Sequence, residues 1–196
     1  MPKNGTSPEQ TRTVGILPIP GFALLSYAAA VEPLRAANVL SGRTLYQWVH
    51  LTPEGAPSPS SSGVAIAPDR PTLDAAGLEV LVVCAGGNPA LYRDLKVLNW
   101  LRSLKRTRLT IAGVSGGPYL LARAGLLDGR RCTIHWEHAA PFAEAFPRLD
   151  RRRSLYEVDG TRMTCAGGVA ALDMMVAMIE RDHDARLARQ VSDWFL

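Results

Sequence analysis

Short blocks of nearly unbroken apolar residues alternate along this chain with longer stretches in which apolar positions recur every three or four residues. Blocks of the first kind read as strands buried on both faces, and stretches of the second as helices with one buried side. Residues 13–19 (TVGILPI) form the first block, ended by Pro18, Pro20 and Gly21. Residues 24–40 follow with Leu24, Tyr27, Ala28, Val31, Leu34 and Val39 on one side, and Pro33 predicts a kink or a later start. Residues 46–51 (YQWVHL) alternate as a strand, 53–63 (PEGAPSPSSSG) form turns, and 64–67 supply an edge strand. Residues 78–84 (LEVLVVC) make a buried strand, and 91–105 an amphipathic helix carrying Leu91, Leu95, Leu98, Leu101 and Leu104.

The central stretch, 109–127 (LTIAGVSGGPYLLARAGLL), is a strand, a sharp turn at Ser115 and a helix running to Gly125. Residues 132–136 lead into a short helix ending near Phe146-Pro147. Residues 154–158 and 162–165 are two strands joined by the hairpin signal Asp159-Gly160. Ala166-Gly167-Gly168 opens an apolar helix over 169–179, and an amphipathic segment over 184–196 closes the chain. Strands alternating with helices predict an α/β fold: a doubly wound, mostly parallel sheet with helices on both faces. Ligands of such folds gather beyond the carboxyl ends of the strands. Four loops fall there, 18–22, 85–89, 115–118 and the segment at His135-Trp136.

Composition narrows the class. At 196 residues, 47% hydrophobic and 20% charged, the chain can bury a full core as one domain. The net charge of +4 sits partly in Arg151-Arg152-Arg153 and in residues 96–108, which read as solvated faces rather than a nucleic-acid patch. Cys84, Cys132 and Cys165 have no CxxC spacing, which fits a reducing cytoplasm, and Cys84 and Cys165 read as inert packing. No apolar run approaches the ~20 residues of a membrane span, and residues 1–11 read as a flexible polar tail without a signal peptide's apolar core. Asp173, inside an apolar helix, reads as structural and would need a partner if buried.

The chemistry centres on Gly113-Val114-Ser115-Gly116-Gly117, which has the layout of a nucleophile elbow: a small residue held in a strained turn between strand and helix. Such a turn serves either a reactive residue or a ligand's anionic group. The candidates for catalysis are Ser115 and, as its base, His135, with Glu137 or Glu32 to orient the imidazole. His135 and His138 lie three apart, but the spacing offers no third metal ligand, so neither a metal nor a cofactor is expected.

The elbow, the following LLARAGLLDGRRCTIHWEH, the AGG before the penultimate helix and the terminal VSDWFL together resemble the N-terminal sensor domain of AraC-family transcriptional regulators. The resemblance is to the subgroup related to PfpI proteases and class I glutamine amidotransferases, nearest to regulators of choline, glycine betaine, carnitine or arginine catabolism. It implies a class I glutamine amidotransferase-like, flavodoxin-like fold. It also divides the chain into a tail (1–11), a sensor domain (12–182) and a helix (183–196) leading toward an absent helix-turn-helix domain. DNA contact would come only through that domain, and no membrane is involved. Leu187, Val191 and Trp194-Phe195 would form an apolar stripe for a homodimer, or pack on their own domain.

Enzymes of the wider superfamily carry a cysteine at the elbow and an acid on the first helix. Here the two positions hold Ser115 and Ser26, which removes the chemistry and leaves an anion cradle. The implied effector is a small amine-containing carboxylate, its carboxylate on the Ser115 hydroxyl and the N–H groups of Gly116 and Gly117. Its cationic end would face aromatic rings from Phe22, Tyr119 and Trp136, with Tyr27 reading as core. Gly87 and Asn88 would line the pocket through a tight turn, and His135 would adjoin it. The alternative is a PfpI-like hydrolase using Ser115. A pure interaction module would have no enclosed cavity beside Ser115.

Overall fold

The computed structural model describes residues 11–70 and 73–196; most of the expected tail, 1–10, lies outside the described residues. Ten strands and six helices follow in order: β1 (Arg12–Pro18), α1 (Leu24–Ser41), β2 (Tyr46–His50), β3 (Ser58–Pro59), β4 (Ala65–Ile66), β5 (Val80–Ala85), α2 (Leu95–Ser103), β6 (Thr110–Ser115), α3 (Gly117–Arg123), β7 (Arg131–Cys132), α4 (Ala139–Ala145), β8 (Asp150–Arg151), β9 (Tyr156–Asp159), β10 (Arg162–Cys165), α5 (Ala170–Asp182) and α6 (Ala185–Asp193).

The main sheet has the order β2-β1-β5-β6-β10-β9. All of its pairings are parallel except β10 with β9, the hairpin across Asp159-Gly160. Side chains alternate between two cores because successive residues of a strand point to opposite faces. Val80, Val82 and Cys84 of β5 enter the core under α1, α5 and α6, and Leu81, Val83 and Ala85 the core under α2 and α3. Both faces are covered, so the unbroken apolar runs of β1, β5 and β6 are what the architecture requires.

Several local expectations change. Pro33 lies inside α1 without ending it, and the helix closes on Gly42 at φ 65. The helix expected from residue 91 starts at Leu95, because Asp94 caps it through the N–H groups of Lys96 and Val97, and residues Pro89–Leu91 form a separate 3-10 turn. Leu91 and Leu95 are accordingly exposed. The strand expected over 64–67 pairs only with β3, in a ribbon apart from the main sheet. Asp173 is exposed, so it needs no buried partner.

The last segment, expected to lead away from the domain, packs on it. Leu187, Ala188 and Val191 of α6 are buried in the core shared with α1 and α5, so they are not an open stripe. Trp194 and Phe195 remain partly exposed, with the Arg35 guanidinium 5.9 Å from the Trp194 ring.

Candidate functional site

Ser115 is the only non-glycine residue with positive φ among the described residues, at 60°. A side chain in this left-handed region costs about 1–2 kcal/mol, and neighbouring structure must enforce it. Here the enforcement is close backbone packing. A Cβ on Gly113 would lie 2.8 Å from the nitrogen of Pro118, where the chain doubles back from β6 into α3. A Cβ on Gly117 would collide with the carbonyl oxygen of Val83 on β5. The glycines around the serine exist to let this turn sit directly on the neighbouring strand.

That same packing removes most of the expected anion cradle. The Gly116 N–H donates to the Ala85 carbonyl at 3.0 Å and is therefore spent within the fold. Gly117 is buried against β5. Ser115 itself is 5% exposed, covered by Gly167, whose own Cβ would come 2.9 Å from the Ser115 Oγ. Beyond Gly167, the Ser26 Oγ accepts the Gly168 N–H at 2.7 Å. The position expected to hold a catalytic acid thus holds a buried hydroxyl that fastens α1 to the approach of α5.

The catalytic partners are not assembled either. His135 contacts the elbow through its backbone, its N–H donating to the Ser115 carbonyl at 3.3 Å. Among the described residues no hydrogen bond joins its imidazole to the Ser115 hydroxyl. Instead its Nδ1 accepts the Glu137 N–H at 3.4 Å, and the ring lies 5.5 Å from Trp136 and 5.7 Å from His138. Glu137 is exposed and Glu32 pairs with Arg35 at 2.7 Å, so neither is a buried carboxylate orienting a base. The thiols offer no substitute nucleophile. Burial pushes Cys84 far up, Cys132 up to about 11 and Cys165 up to about 12, the last despite N–H groups of Gly167 and Ser115 that favour its thiolate.

The aromatic candidates divide. Phe22 is fully buried, 5.4 Å from the Tyr27 ring, and Tyr119 packs edge-on against Phe142 and Phe146. Both are core residues, which corrects their expected place in a pocket. Tyr27, expected as core filler, donates to or accepts from His50 Nε2 at 2.7 Å, and His50 Nδ1 meets Asp69 at 2.8 Å. This Asp69–His50–Tyr27 chain has no sequence signature, since its members are distant and share no motif. Gly87 turns at φ 56, and the Asn88 side chain accepts the Ala90 N–H at 3.1 Å, so the pair forms a tight turn and caps the 3-10 segment.

Trp136 is 78% exposed, and the cleft it lines includes no residue of the elbow itself. It lines a cleft of about 390 Å³ with Ile134, Arg151, Arg153, Leu155 and Ala166. The arginine run, expected as a solvated face, forms one wall. Ile134 and Ala166 directly precede His135 and Gly167, both of which touch Ser115, so the cleft adjoins the elbow through them. Among the described residues, His135, Glu137 and His138 bring possible ligand atoms within 4.8 Å of one another, but Glu137 is exposed and His135 Nδ1 already accepts its N–H.

Residues 22–181 match the DJ-1/PfpI family. The chain is 48% identical over 184 residues to the HTH-type transcriptional regulator GlxA of Rhizobium meliloti, covering 93% of this chain and 57% of that protein. It is 31% identical over 164 residues to the isonitrile hydratase of Pseudomonas putida, covering 82% of this chain and 70% of that one. The crystal structure of an AraC family transcriptional regulator from Pseudomonas putida superposes with a TM-score of 0.85 at 25% identity, covering 94% of this chain and 100% of that one. The chain spans about half the length of the curated regulators it matches. Among the described residues no helix is long and apolar enough to cross a membrane. By this match over most of its length, the chain belongs to the DJ-1/PfpI family, alongside relatives that are AraC-type transcriptional regulators.

Proposed function

We propose that this chain is the ligand-sensing and dimerisation unit of an AraC-type transcriptional regulator working in the cytoplasm, with DNA contacts made by a separate helix-turn-helix domain. Its effector is a small amine-containing carboxylate such as glycine betaine, carnitine or arginine, bound at the carboxyl edge of the sheet beside Ser115. One observation carries the reading: the strained serine of the elbow is retained while its would-be acid position, Ser26, is occupied in holding Gly168. A hydroxyl without an adjacent base is a poor nucleophile, which argues against bond breaking at this turn. Calorimetry with the three compounds is the test. Saturable binding by one of them supports the reading, and no heat from any of them on folded protein overturns it.

A hydrolase reading is favoured by one observation, the 31% identity to a relative that is an enzyme. A fluorophosphonate or activated-ester reagent separates the two. The sensor leaves Ser115 unlabelled over hours, whereas stoichiometric labelling that Ser115→Ala abolishes establishes the enzyme.

The dimer rests on Leu25, Val169, Trp194 and Phe195, exposed apolar side chains at neighbouring ends of α1, α5 and α6. Light scattering at micromolar concentration reads twice the chain mass for a dimer, and a single-chain mass removes it.

A further inference from the structure

We infer that the effector's carboxylate is held by Arg151 and Arg153 in the cleft beside the elbow, with Trp136 covering the ligand's other end, and that the elbow N–H groups take no part. The inference rests on the sensor reading and moves the recognition chemistry away from Ser115. The charge balance of the cleft comes first. Its arginine run is flanked by two acids, and both are already paired. Asp150 meets Arg152 at 2.7 Å. Glu157 lies 3.4 Å from Arg131 and accepts the Ser154 hydroxyl at 2.8 Å. No acidic partner meets Arg151 or Arg153 among the described residues, so the wall presents two uncompensated guanidinium groups. A planar guanidinium fork matches the two oxygens of a carboxylate, as it does those of a phosphate, and the carboxylate is the anionic group the sensor reading supplies.

The wall is also fixed in place. Arg151 lies in β8, which pairs with β7 in parallel, and the Arg152 N–H donates to the Cys132 carbonyl at 2.8 Å. The Thr133 hydroxyl donates to the Ser154 carbonyl at 2.9 Å, tying the far end of the run to the segment that carries Trp136. The backbone that bears the two arginines is thus set before a ligand arrives, which lowers the ordering cost of binding.

Trp136, which shares the cleft with the arginines, is the most exposed aromatic residue among those described, and Leu155, also exposed, lines the same cleft. An indole face accepts a methylated ammonium, an amine or an alkyl chain. At about 390 Å³ the cleft falls in the range of small-molecule sites. The elbow is the poorer host, since Ser115 is nearly sealed and the Gly116 N–H is already engaged.

The test compares ligands that differ only in the carboxylate. Glycine betaine, carnitine and arginine are titrated by calorimetry beside choline and agmatine, which lack that group, with chelator present so that metal at His135 and His138 does not contribute. The indole N–H resonance of Trp136, assigned with Trp136→Phe, reports the location. The expected result is that at least one carboxylate compound binds and shifts this resonance, while its carboxylate-free counterpart binds at least tenfold more weakly. The Arg151→Ala/Arg153→Ala double variant loses at least tenfold in affinity, and Arg151→Lys/Arg153→Lys recovers part of it. Circular dichroism and thermal melting of the variants guard against misfolding. Binding that survives the double alanine variant but is lost in Ser115→Ala overturns the cleft inference and leaves the sensor reading intact. Equal binding of choline or agmatine also overturns it. Absence of binding by every carboxylate compound to the unmodified chain overturns both.

Discussion

The Oγ of Ser26, on the first turn of α1, accepts the backbone N–H of Gly168 at 2.7 Å, across 142 positions of sequence. The hydroxyl is buried, and the bond closes the elbow from above by anchoring the segment that covers Ser115. Replacing it by Ser26→Ala leaves Gly168 without its partner and is expected to cost about 1 kcal/mol. Urea denaturation reads the effect as a lowered midpoint with an unchanged slope.

Gly117 and Gly129 offer a matched pair. A methyl on Gly117 strikes the Val83 backbone, which cannot yield without lifting α3 from the sheet, whereas a methyl on Gly129 meets nothing within 4 Å. Gly117→Ala is expected to destabilise by about 3 kcal/mol through overpacking. Gly129→Ala pays only for its φ of 68° and is expected to cost about 1 kcal/mol. Equal losses from the two would disprove the close-packing account of the elbow.

Asp182 is 6% exposed at its side chain and meets Arg12, Arg181 at 3.1 Å and the Tyr46 hydroxyl at 3.2 Å. It joins β1, β2 and α5 at the end of the sheet opposite the cleft. Removing Arg12 with Arg12→Ala leaves the buried carboxylate to Arg181 and Tyr46 alone and is expected to cost about 2 kcal/mol. Tyr46→Phe removes one neutral donor and is expected to cost about 1 kcal/mol. Thermal melts of the two variants should fall in that order.

Burial holds the His138 imidazole below its ordinary value, with His135 adding to the effect and Glu137 opposing it. The unfolded chain therefore binds a proton at a pH where the folded chain does not. Stability is complete above the ordinary histidine range, near pH 6.5, and falls as the pH drops from there toward the depressed folded value. Melting temperatures between pH 7.5 and 5 should decline less steeply in His138→Phe than in the unmodified chain, and parallel curves would contradict the assignment.

Cys84, Cys132 and Cys165 are all buried, and burial raises each thiol. A disulfide-exchange reagent at pH 8 is expected to find no reactive thiol in the folded chain and three in guanidinium chloride. A fast-reacting native thiol would reopen a nucleophilic role.

The strands were legible because residues buried on both faces leave an unbroken apolar run, as in VLVVCA of β5. The elbow was legible because only glycines permit its close approaches. What sequence could not supply was the partner of each polar group. Gly116 looks like a free N–H donor until β5 ends beside it and Ala85 takes the bond. Phe22 and Tyr119 follow strands at positions a pocket would use, and nothing in their spacing distinguishes a ring facing a ligand from one facing Tyr27 or Phe142. Arg151 and Arg153 resemble any basic surface run, because their role depends on which acids are already occupied. The start of α2 was misplaced for a similar reason: the leucine spacing continues back to Leu91, and only the Asp94 cap ends it.

Gly167 and Gly168 turn at φ 84° and 57°, and they stand between Ala166, a wall of the cleft, and α5. Ala166 also donates its N–H to the Leu155 carbonyl at 2.8 Å, so the two walls move as one. From Ala166 the chain reaches α5 through Gly167, Gly168 and Val169, and α5 packs against both α1 and α6. The wall of the cleft and the exposed apolar ends of α1 and α6 therefore meet at one short stretch, since Val169, next after the two glycines, shares a hollow with Leu25 and Phe195.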